Sequence, residues 1–268
     1  MRRLSAILLV VLGLVVGLVA PSAGAATTYP RSMASTGDSI TRGFDATWGG
    51  CFLTDCPKYS WSTGVSVSSH YARLVALNPA ISGHGYNDAK TGATMKALGR
   101  QLSSAASQGA DYVTVLMGAN DLCTSSASTM TPTATFTREL KSALGQFVAA
   151  RPKAKVFVSS IPNIYQLWSV LHTDVTAQLT WNTFGICPSM LAATNTESQR
   201  QLVVARESEL NGALATVCAQ YVQCRWDGYA TYDTQFSASD ISTVDYFHPS
   251  IQGQNRLAAV TWAASYWG

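Results

Sequence analysis

The sequence predicts an α/β fold, a three-layer α/β/α sandwich around a central parallel sheet of about five strands. Short β-like runs alternate along the chain with amphipathic stretches of ten or more residues. Such alternation implies crossover connections between parallel strands. Residues 112–117 form a nearly unbroken apolar run, which is typical of a strand covered on both faces. We therefore expect helices on both faces of the sheet.

Four elements are predicted in the first part of the chain. Residues 33–36 form a weak strand candidate that ends at a Gly-Asp-Ser turn. Residues 65–77 place apolar side chains three and four positions apart, as on one face of a helix. Residues 84–87 are expected to form a short strand, and residues 94–106 repeat the helical spacing.

Six further elements complete the alternation. The clearest strand is the apolar run at 112–117, followed by a helix at 132–150 that starts with a proline suited to a first helical turn. A strand is expected at 156–161, because an apolar run there is closed by a proline. The last three predicted elements are a helix at 197–221, a short strand at 225–226 and a terminal helix at 250–266.

The N-terminus has the layout of a secretory signal peptide. Arg2 and Arg3 precede an apolar run at 6–20, and Ala23-Gly24-Ala25 is a small-residue cleavage site. The run is short for a bilayer span, which needs about 20 residues, although a permanent N-terminal anchor is the alternative. We predict a signal peptide at 1–25, a single domain at 26–268 and secretion to the extracellular space.

Composition excludes several classes of protein. Only 12% of the residues are charged, against about 25% in an average globular domain. The net charge of +3 includes Arg2 and Arg3, and no block of like charges remains without them. A nucleic-acid partner is therefore not expected. The chain also has no fixed period or polar low-complexity tract, which excludes repeat, collagen-like and disordered architectures.

Six cysteines suit an oxidising compartment. We predict pairing in chain order, Cys51 with Cys56, Cys123 with Cys187, and Cys218 with Cys224. About 15 connectivities are open to six cysteines, and this choice favours local closure. A zinc site is the competing interpretation. It is weak, because the sequence has no C-x-x-C pair and its histidines do not cluster near the thiols.

Four polar turns stand where this fold places its sites. Ligands in open α/β sheets bind beyond the carboxyl ends of the strands. Residues 37–40, 87–93 and 118–121 follow predicted strands, and residues 245–249 precede the last helix. They supply a serine, glycine amides, an asparagine, an aspartate and a histidine, which are the parts of a serine hydrolase. Each turn alone is typical of an ordinary capped turn.

In this order, the motifs resemble those of the SGNH, or GDSL, hydrolase family over nearly all of the mature chain. The resemblance implies a flavodoxin-like fold with Ser39 as nucleophile and His248 as catalytic base. It makes Asp245 the residue that orients the histidine, although a backbone carbonyl does so in some relatives. It places the oxyanion hole at Ser39, Gly92 and Asn120.

Two details qualify the resemblance. Residues 118–123, Gly-Ala-Asn-Asp-Leu-Cys, look like the phospholipase-B-like branch of the family, a stretch too short to define substrate class. Residues 33–36 are more polar than the apolar strand that usually precedes the nucleophile. This departure leaves the length of the first strand open.

The chemistry requires the same residue types. A serine hydroxyl is a poor nucleophile at neutral pH and needs a base to take its proton, and imidazole titrates in the right range. The glycine at 92 is expected to let the backbone approach closely, where a Cβ would intrude. Asp38 and Asp121 are expected to support their turns through backbone hydrogen bonds.

The other three histidines are not expected to take part in proton transfer. His70 is interpreted as a surface or packing residue, and His172 has no nearby motif. His84 lies in a loop from which it could line the cleft. The sequence has no Walker A loop, H-E-x-x-H motif or G-x-S-x-G elbow. No metal and no cofactor is expected.

Residues 163–195 form an apolar insertion in which Asp174 is the single formal charge. We interpret this insertion as a wall or lid beside Ser39 that accepts an acyl chain. The alternative is a buried structural excursion.

The sequence thus predicts a secreted, monomeric esterase or lipase acting on lipid or short-to-medium acyl esters, with transient lipid-surface contact and no integral membrane span. A polysaccharide O-deacetylase is the alternative, with exposed Trp48, Trp61 or Trp181 as sugar-stacking platforms. A binding module without catalysis is the rival from another class.

Overall fold

The computed structural model describes residues 28–268. The predicted signal peptide at 1–25 lies outside the described residues. The fold is an α/β sandwich around a five-stranded sheet of order β2-β1-β3-β4-β5, in which all neighbouring pairs are parallel. This confirms the predicted fold class. The strands are β1 Met33–Gly37, β2 Gly85–Asn87, β3 Tyr112–Leu116, β4 Lys155–Val158 and β5 Cys224–Trp226.

Ten α-helices lie within the described residues. Five run close to the predicted positions: α2 His70–Leu77, α3 Leu98–Ser107, α5 Thr133–Ala150, α9 Glu197–Cys218 and α10 Ile251–Ala264. The others are α1 Ser39–Arg42, α4 Ala119–Leu122, α6 Ile164–Leu171, α7 Val175–Phe184 and α8 Pro188–Leu191. None of the described helices has the length and apolar character of a bilayer span.

Several boundaries differ from the predicted ones. The helix expected from residue 65 begins at His70, because Ser69 caps it by accepting a hydrogen bond from the Ala72 amide at 3.0 Å. The strand expected to reach residue 161 ends at Val158. There Ser160 turns out of the sheet, and its backbone and side chain both donate to the Asp227 carboxylate.

The polar first strand is fully formed. All five of its residues are buried, and its two hydroxyls have partners. Ser35 Oγ lies 3.0 Å from Thr63 Oγ1, and Thr36 Oγ1 donates to the Thr114 carbonyl at 3.0 Å. Since a satisfied hydroxyl costs little to bury, the departure from an apolar pattern does not shorten the strand.

One fully buried histidine joins the layers on one face of the sheet. His70 contacts Tyr112 Oη through Nδ1 and Thr261 Oγ1 through Nε2, both at 2.9 Å. Burial lowers its pKa to about 3, so the ring stays neutral and packs α2 against β3 and α10. This confirms the packing interpretation of His70. Helices α3, α5 and α9 pack side by side as a separate layer, with α3 against β1 and α9 against β5.

The three disulfides connect Cys51 to Cys56, Cys123 to Cys187 and Cys218 to Cys224. This is the predicted pairing. All six thiols are used, which removes the competing zinc site. The second bridge ties the insertion at 163–195 to the residue that follows α4.

Candidate active site

Ser39 is the first residue of α1 and follows β1 through a tight turn. Asp38 Oδ1 caps the helix by accepting from the Ile40 amide at 3.0 Å. Gly37 has φ +148°, and a Cβ there would lie 2.4 Å from the Leu116 carbonyl oxygen of the neighbouring strand. Only glycine fits this position. The turn therefore sets Ser39 at the carboxyl end of the sheet.

The loop before α10 brings His248 to this serine. Asp245 Oδ1 accepts from the backbone amides of Phe247 and His248 at 2.9 and 3.0 Å. The Nε2 atom of His248 lies 2.7 Å from Ser39 Oγ, and its Nδ1 hydrogen-bonds to Asp245 Oδ2. Ser39 and Asp245 are each 6% exposed and His248 is 9% exposed. Ser39, His248 and Asp245 thus form one continuous, buried hydrogen-bonded chain.

The Asp245 carboxylate dominates the electrostatics of this chain. Burial by itself lowers the pKa of His248, but the charge of Asp245 and its hydrogen bond outweigh burial and raise it above the ordinary 6.5. Burial likewise opposes ionisation of Asp245, but the charge of His248 and the hydrogen bonds it accepts lower its pKa. Asp245 is therefore ionised throughout the neutral range.

Gly92 lies in the loop after β2 and Asn120 lies in α4, and hydrogen bonds tie these two segments to each other and to the serine turn. The Asn120 side-chain amide donates to the Ala93 carbonyl at 3.0 Å, which leaves its second N–H free. The Lys90 amide donates to the Gly37 carbonyl at 3.1 Å. Gly92 is exposed, with φ +76°.

Two features bear on the glycine at 92. No protein atom lies within 4 Å of the position that a Cβ would occupy, so the neighbouring protein does not require a glycine here. The left-handed φ is what favours glycine. The open space beside it is available to a ligand.

Asp38 and Asp121 support turns, as predicted. Asp121 Oδ2 accepts from the Met95 amide at 2.9 Å and so joins α4 to the segment after Gly92. Burial raises the pKa of Asp38 to about 7 and that of Asp121 to about 6. Neither carboxyl hydrogen-bonds to Ser39 or His248.

The other two histidines lie away from the site. His84 precedes β2, and its carbonyl accepts from the Met33 amide at the start of β1. It is a loop residue, as predicted, and lies at the amino end of β1, so it does not take the place in the cleft that its loop position left open. His172 is exposed and stacks on Trp168, with ring centroids 4.5 Å apart.

Sequence reasoning missed Asp45. One of its carboxylate oxygens, one of Asp245 and a ring nitrogen of His248 all lie within 4.8 Å of one another. This is the single set of three possible metal ligands in residues 28–268. Both nitrogens of His248 already have partners, so a metal ion there would have to break the contact with Ser39 or Asp245. No sequence motif identifies Asp45, because a loop that bends back brings it close to Asp245 and His248.

The insertion at 163–195 forms a wall beside the histidine loop. Trp181 is 2% exposed, and its indole N–H donates to the Tyr246 carbonyl at 3.0 Å. Ile164 and Leu167, with Phe247 and Ile40, border an almost wholly apolar cavity of about 50 Å³. The outer face of α7 is exposed at Val175, Leu179 and Phe184.

Comparison with known proteins agrees with this fold. The profile of the GDSL-like Lipase/Acylhydrolase family matches residues 36–256, so the chain belongs to that family. It is a carboxylic-ester hydrolase of the GDSL type. No curated protein sequence matches the chain.

Solved structures of related fold include a putative GDSL-like lipase from Parabacteroides merdae, with 13% identity and a TM-score of 0.53 over 90% of this chain and 99% of that one. Phospholipase A1 from Streptomyces albidoflavus has 20% identity and a TM-score of 0.52 over 87% of this chain and 99% of that one. A family two carbohydrate esterase from Clostridium thermocellum has 14% identity and a TM-score of 0.50 over 89% and 65%. At these identities the likeness shows the fold alone.

Proposed function

We propose that this protein is a secreted serine esterase or lipase that forms an acyl-enzyme on Ser39, with His248 as base and Asp245 as its orienting residue. The observation that carries the proposal is the 2.7 Å contact between Ser39 Oγ and His248 Nε2, with Asp245 on the other ring nitrogen. A base within hydrogen-bond reach of a hydroxyl, itself oriented by a third group, defines an activated nucleophile.

The reaction proceeds in two balanced halves. Ser39 Oγ attacks the ester carbonyl as His248 Nε2 takes its proton, and the imidazolium then gives that proton to the departing alcohol. Water, deprotonated by His248, next attacks the acyl-enzyme, and Ser39 recovers its proton as the carboxylic acid leaves. The imidazolium formed in each half is stabilised by Asp245.

The developing oxyanion needs donors already in place. The backbone amides of Ser39 and Gly92 and the free N–H of the Asn120 side chain are the proposed donors. Each such donor contributes about 3 kcal/mol to transition-state stabilisation. Because Asn120 is held by the Ala93 carbonyl, little reorganisation is needed when charge develops.

An acyl chain is the favoured substrate part. The apolar cavity borders Ile40, the residue after the nucleophile, and Phe247, the residue before the base. Its volume of about 50 Å³ suits the end of a short-to-medium chain. The insertion serves here as a fixed wall, since Trp181 anchors it to Tyr246. A series of p-nitrophenyl esters of rising length tests this; a sharp preference for acetate would contradict it.

A polysaccharide O-deacetylase is the second candidate, favoured by one aromatic pair. Trp48 is 59% exposed, stacks on Phe52 with centroids 5.2 Å apart, and donates to Thr243 Oγ1 at 3.2 Å on the histidine loop. Such a pair offers a flat surface to a sugar ring. Trp61 and Trp181 are buried, so their expected role as sugar platforms is wrong. Release of acetate from acetylated xylan, with negligible turnover of longer esters, would establish this candidate.

Labelling with a fluorophosphonate tests the catalytic proposal. The reagent is expected to modify Ser39 in the wild-type protein and to leave Ser39→Ala unmodified. Absence of labelling in the folded wild-type protein would favour a binding module that kept the fold without catalysis.

Export, monomeric state and transient lipid contact complete the proposal. Three disulfides suit an oxidising compartment. We expect the mature protein in the culture medium, beginning at Ala26 and eluting as a monomer in gel filtration. Retention of residues 1–25 in the membrane fraction would contradict secretion.

A further inference from the structure

Asp45 is a buried carboxyl that the proposed reaction does not yet use. It is 1% exposed, and one of its carboxyl oxygens lies within 4.8 Å of a carboxylate oxygen of Asp245 and a ring nitrogen of His248. No N–H or O–H group in residues 28–268 donates to its Oδ2 atom. A buried carboxyl oxygen beside a second carboxylate must hold a proton or repel its neighbour. The protonation state of Asp45 therefore affects Asp245.

The local backbone holds Asp45 firmly in this place. Its φ of +52° is left-handed, a conformation that aspartate visits more readily than most residues. Its Oδ1 accepts from the Leu53 amide, and its carbonyl accepts from Ser242 Oγ on the histidine loop. The disulfide between Cys51 and Cys56 closes the same loop. The carboxyl is thus fixed from both sides.

The proton of this carboxyl pair belongs to Asp45. Burial and the neighbouring charge of Asp245 raise the pKa of Asp45 to about 6, whereas Asp245 is held ionised by His248 and by backbone amides. Below that pH the Asp45 hydroxyl can donate to Asp245. Above it, Asp45 becomes a second carboxylate facing the imidazole beside Asp245, and Asp38, with a pKa of about 7, adds its charge at higher pH.

We propose that Asp45 is a positioning residue of this hydrolase: its carboxyl contacts Asp245, holds it against His248 Nδ1, and thereby sets the basicity of the imidazole. The proposal rests on the proposed roles of Ser39, His248 and Asp245. When neutral, Asp45 orients Asp245 by hydrogen bonding. When ionised, it raises the pKa of His248 by its charge.

Two substitutions separate these effects. Asp45→Asn keeps an acceptor for the Leu53 amide and a donor for Asp245 but cannot ionise. Asp45→Ala removes charge and hydrogen bonds together. Asp88→Asn is the matched control, because Asp88 is half-buried, has one oxygen without a donor, and accepts from Gln108 instead of facing Asp245 and His248.

The measurements are kcat and KM for a p-nitrophenyl ester from pH 5 to 9. Asp45→Asn is expected to keep kcat at pH 8 within about threefold of wild type, and its acidic limb of kcat/KM to move to lower pH. Asp45→Ala is expected to share that shift. Below about pH 6, where wild-type Asp45 holds its proton, its kcat is expected to fall about tenfold or more below that of Asp45→Asn, as with loss of other orienting partners, with KM nearly unchanged. Asp88→Asn is expected to match wild type.

Each other result contradicts the proposal. Wild-type kcat with an unmoved acidic limb in Asp45→Ala would show that Asp45 has no influence on the histidine. Equal loss in both variants would show that the hydrogen bond to Asp245 is not what matters. If Asp45→Ala fails to fold, two other measurements decide. One is the acidic limb of kcat/KM in Asp45→Asn, and the other is the pH dependence of the downfield His248 Nδ1 proton resonance in the wild-type protein. An unmoved acidic limb, or no change in that resonance near pH 6, overturns the proposal. Fluorophosphonate labelling of wild-type Ser39 is independent of these results, so failure of the proposed function is distinguishable.

Discussion

The indole N–H of Trp181 donates a hydrogen bond to the backbone carbonyl of Tyr246, two residues before His248, at 3.0 Å. Trp181 belongs to the insertion, and Tyr246 has a left-handed φ of +59°. The insertion therefore supports an unusual backbone conformation in the loop that carries His248.

Replacing the indole tests this support. Trp181→Phe keeps most of the buried ring but leaves the Tyr246 carbonyl without its donor, so we expect about 1–2 kcal/mol of lost stability and a lower kcat. Thermal unfolding and ester hydrolysis measure both. Trp168→Phe, in the same insertion but outside the histidine loop, is the control. Equal kcat values in the two variants would refute the coupling.

Asn120 gives a second prediction, on the oxyanion. Asn120→Ala is expected to lower kcat by about 10²–10³-fold with little change in KM, because the side-chain donor acts on charge that develops in the transition state. Steady-state kinetics with a p-nitrophenyl ester measure the effect. A proportional rise in KM at constant kcat would instead place Asn120 in ground-state binding.

The pH dependence of hydrolysis follows from the histidine. Asp245 raises the pKa of His248 above 6.5, and the imidazole accepts the serine proton only when neutral. We therefore expect kcat/KM to fall as the pH drops through a value above 6.5 and to reach its plateau on the alkaline side. A profile that stays flat down to pH 6 would be incompatible with these roles.

Glu207 predicts a pH effect on stability rather than activity. It is fully buried, and burial raises its pKa well above the ordinary 4.5. The native state therefore keeps a proton that the unfolded chain loses, so this contribution to stability is complete below pH 4.5 and declines as the pH rises above it. In the wild-type protein the Ile164 amide donates to Glu207 Oε1 at 3.2 Å. Glu207→Gln keeps an acceptor for this amide.

We expect Glu207→Gln to flatten the decline in unfolding free energy between pH 5 and 8. Chemical denaturation at several pH values measures it. Glu209→Gln, at an exposed position on the same helix, is the control and should retain the wild-type slope. An unchanged slope in Glu207→Gln would show that the buried carboxyl does not hold the proton.

The sequence predicts those residues whose chemistry is recognisable and whose place relative to a strand or helix can be read along the chain. Ser39 and Asn120 could be placed because each follows a strand whose carboxyl end reaches one end of the parallel sheet, and His248 because it stands just before the last helix. The cysteine pairing followed from local closure. These features depend on short stretches of sequence and on one rule of sheet topology.

The rest depends on three-dimensional burial. Asp45 reaches Asp245 only through a bent loop, and no spacing along the chain reveals that contact. Trp61 and Trp181 carry the same side chain as Trp48, yet they are buried while Trp48 is exposed. The polar strand β1 was ambiguous because the partners of its hydroxyls, Thr63 and Thr114, come from distant segments.

The most direct test is to trap the acyl-enzyme. Mass spectrometry of protein quenched during turnover of a p-nitrophenyl ester should find one acyl group, located on the peptide that contains Ser39 and missing from Ser39→Ala. Sustained hydrolysis with no adduct on that peptide, or with the acyl group on another residue, would contradict the account.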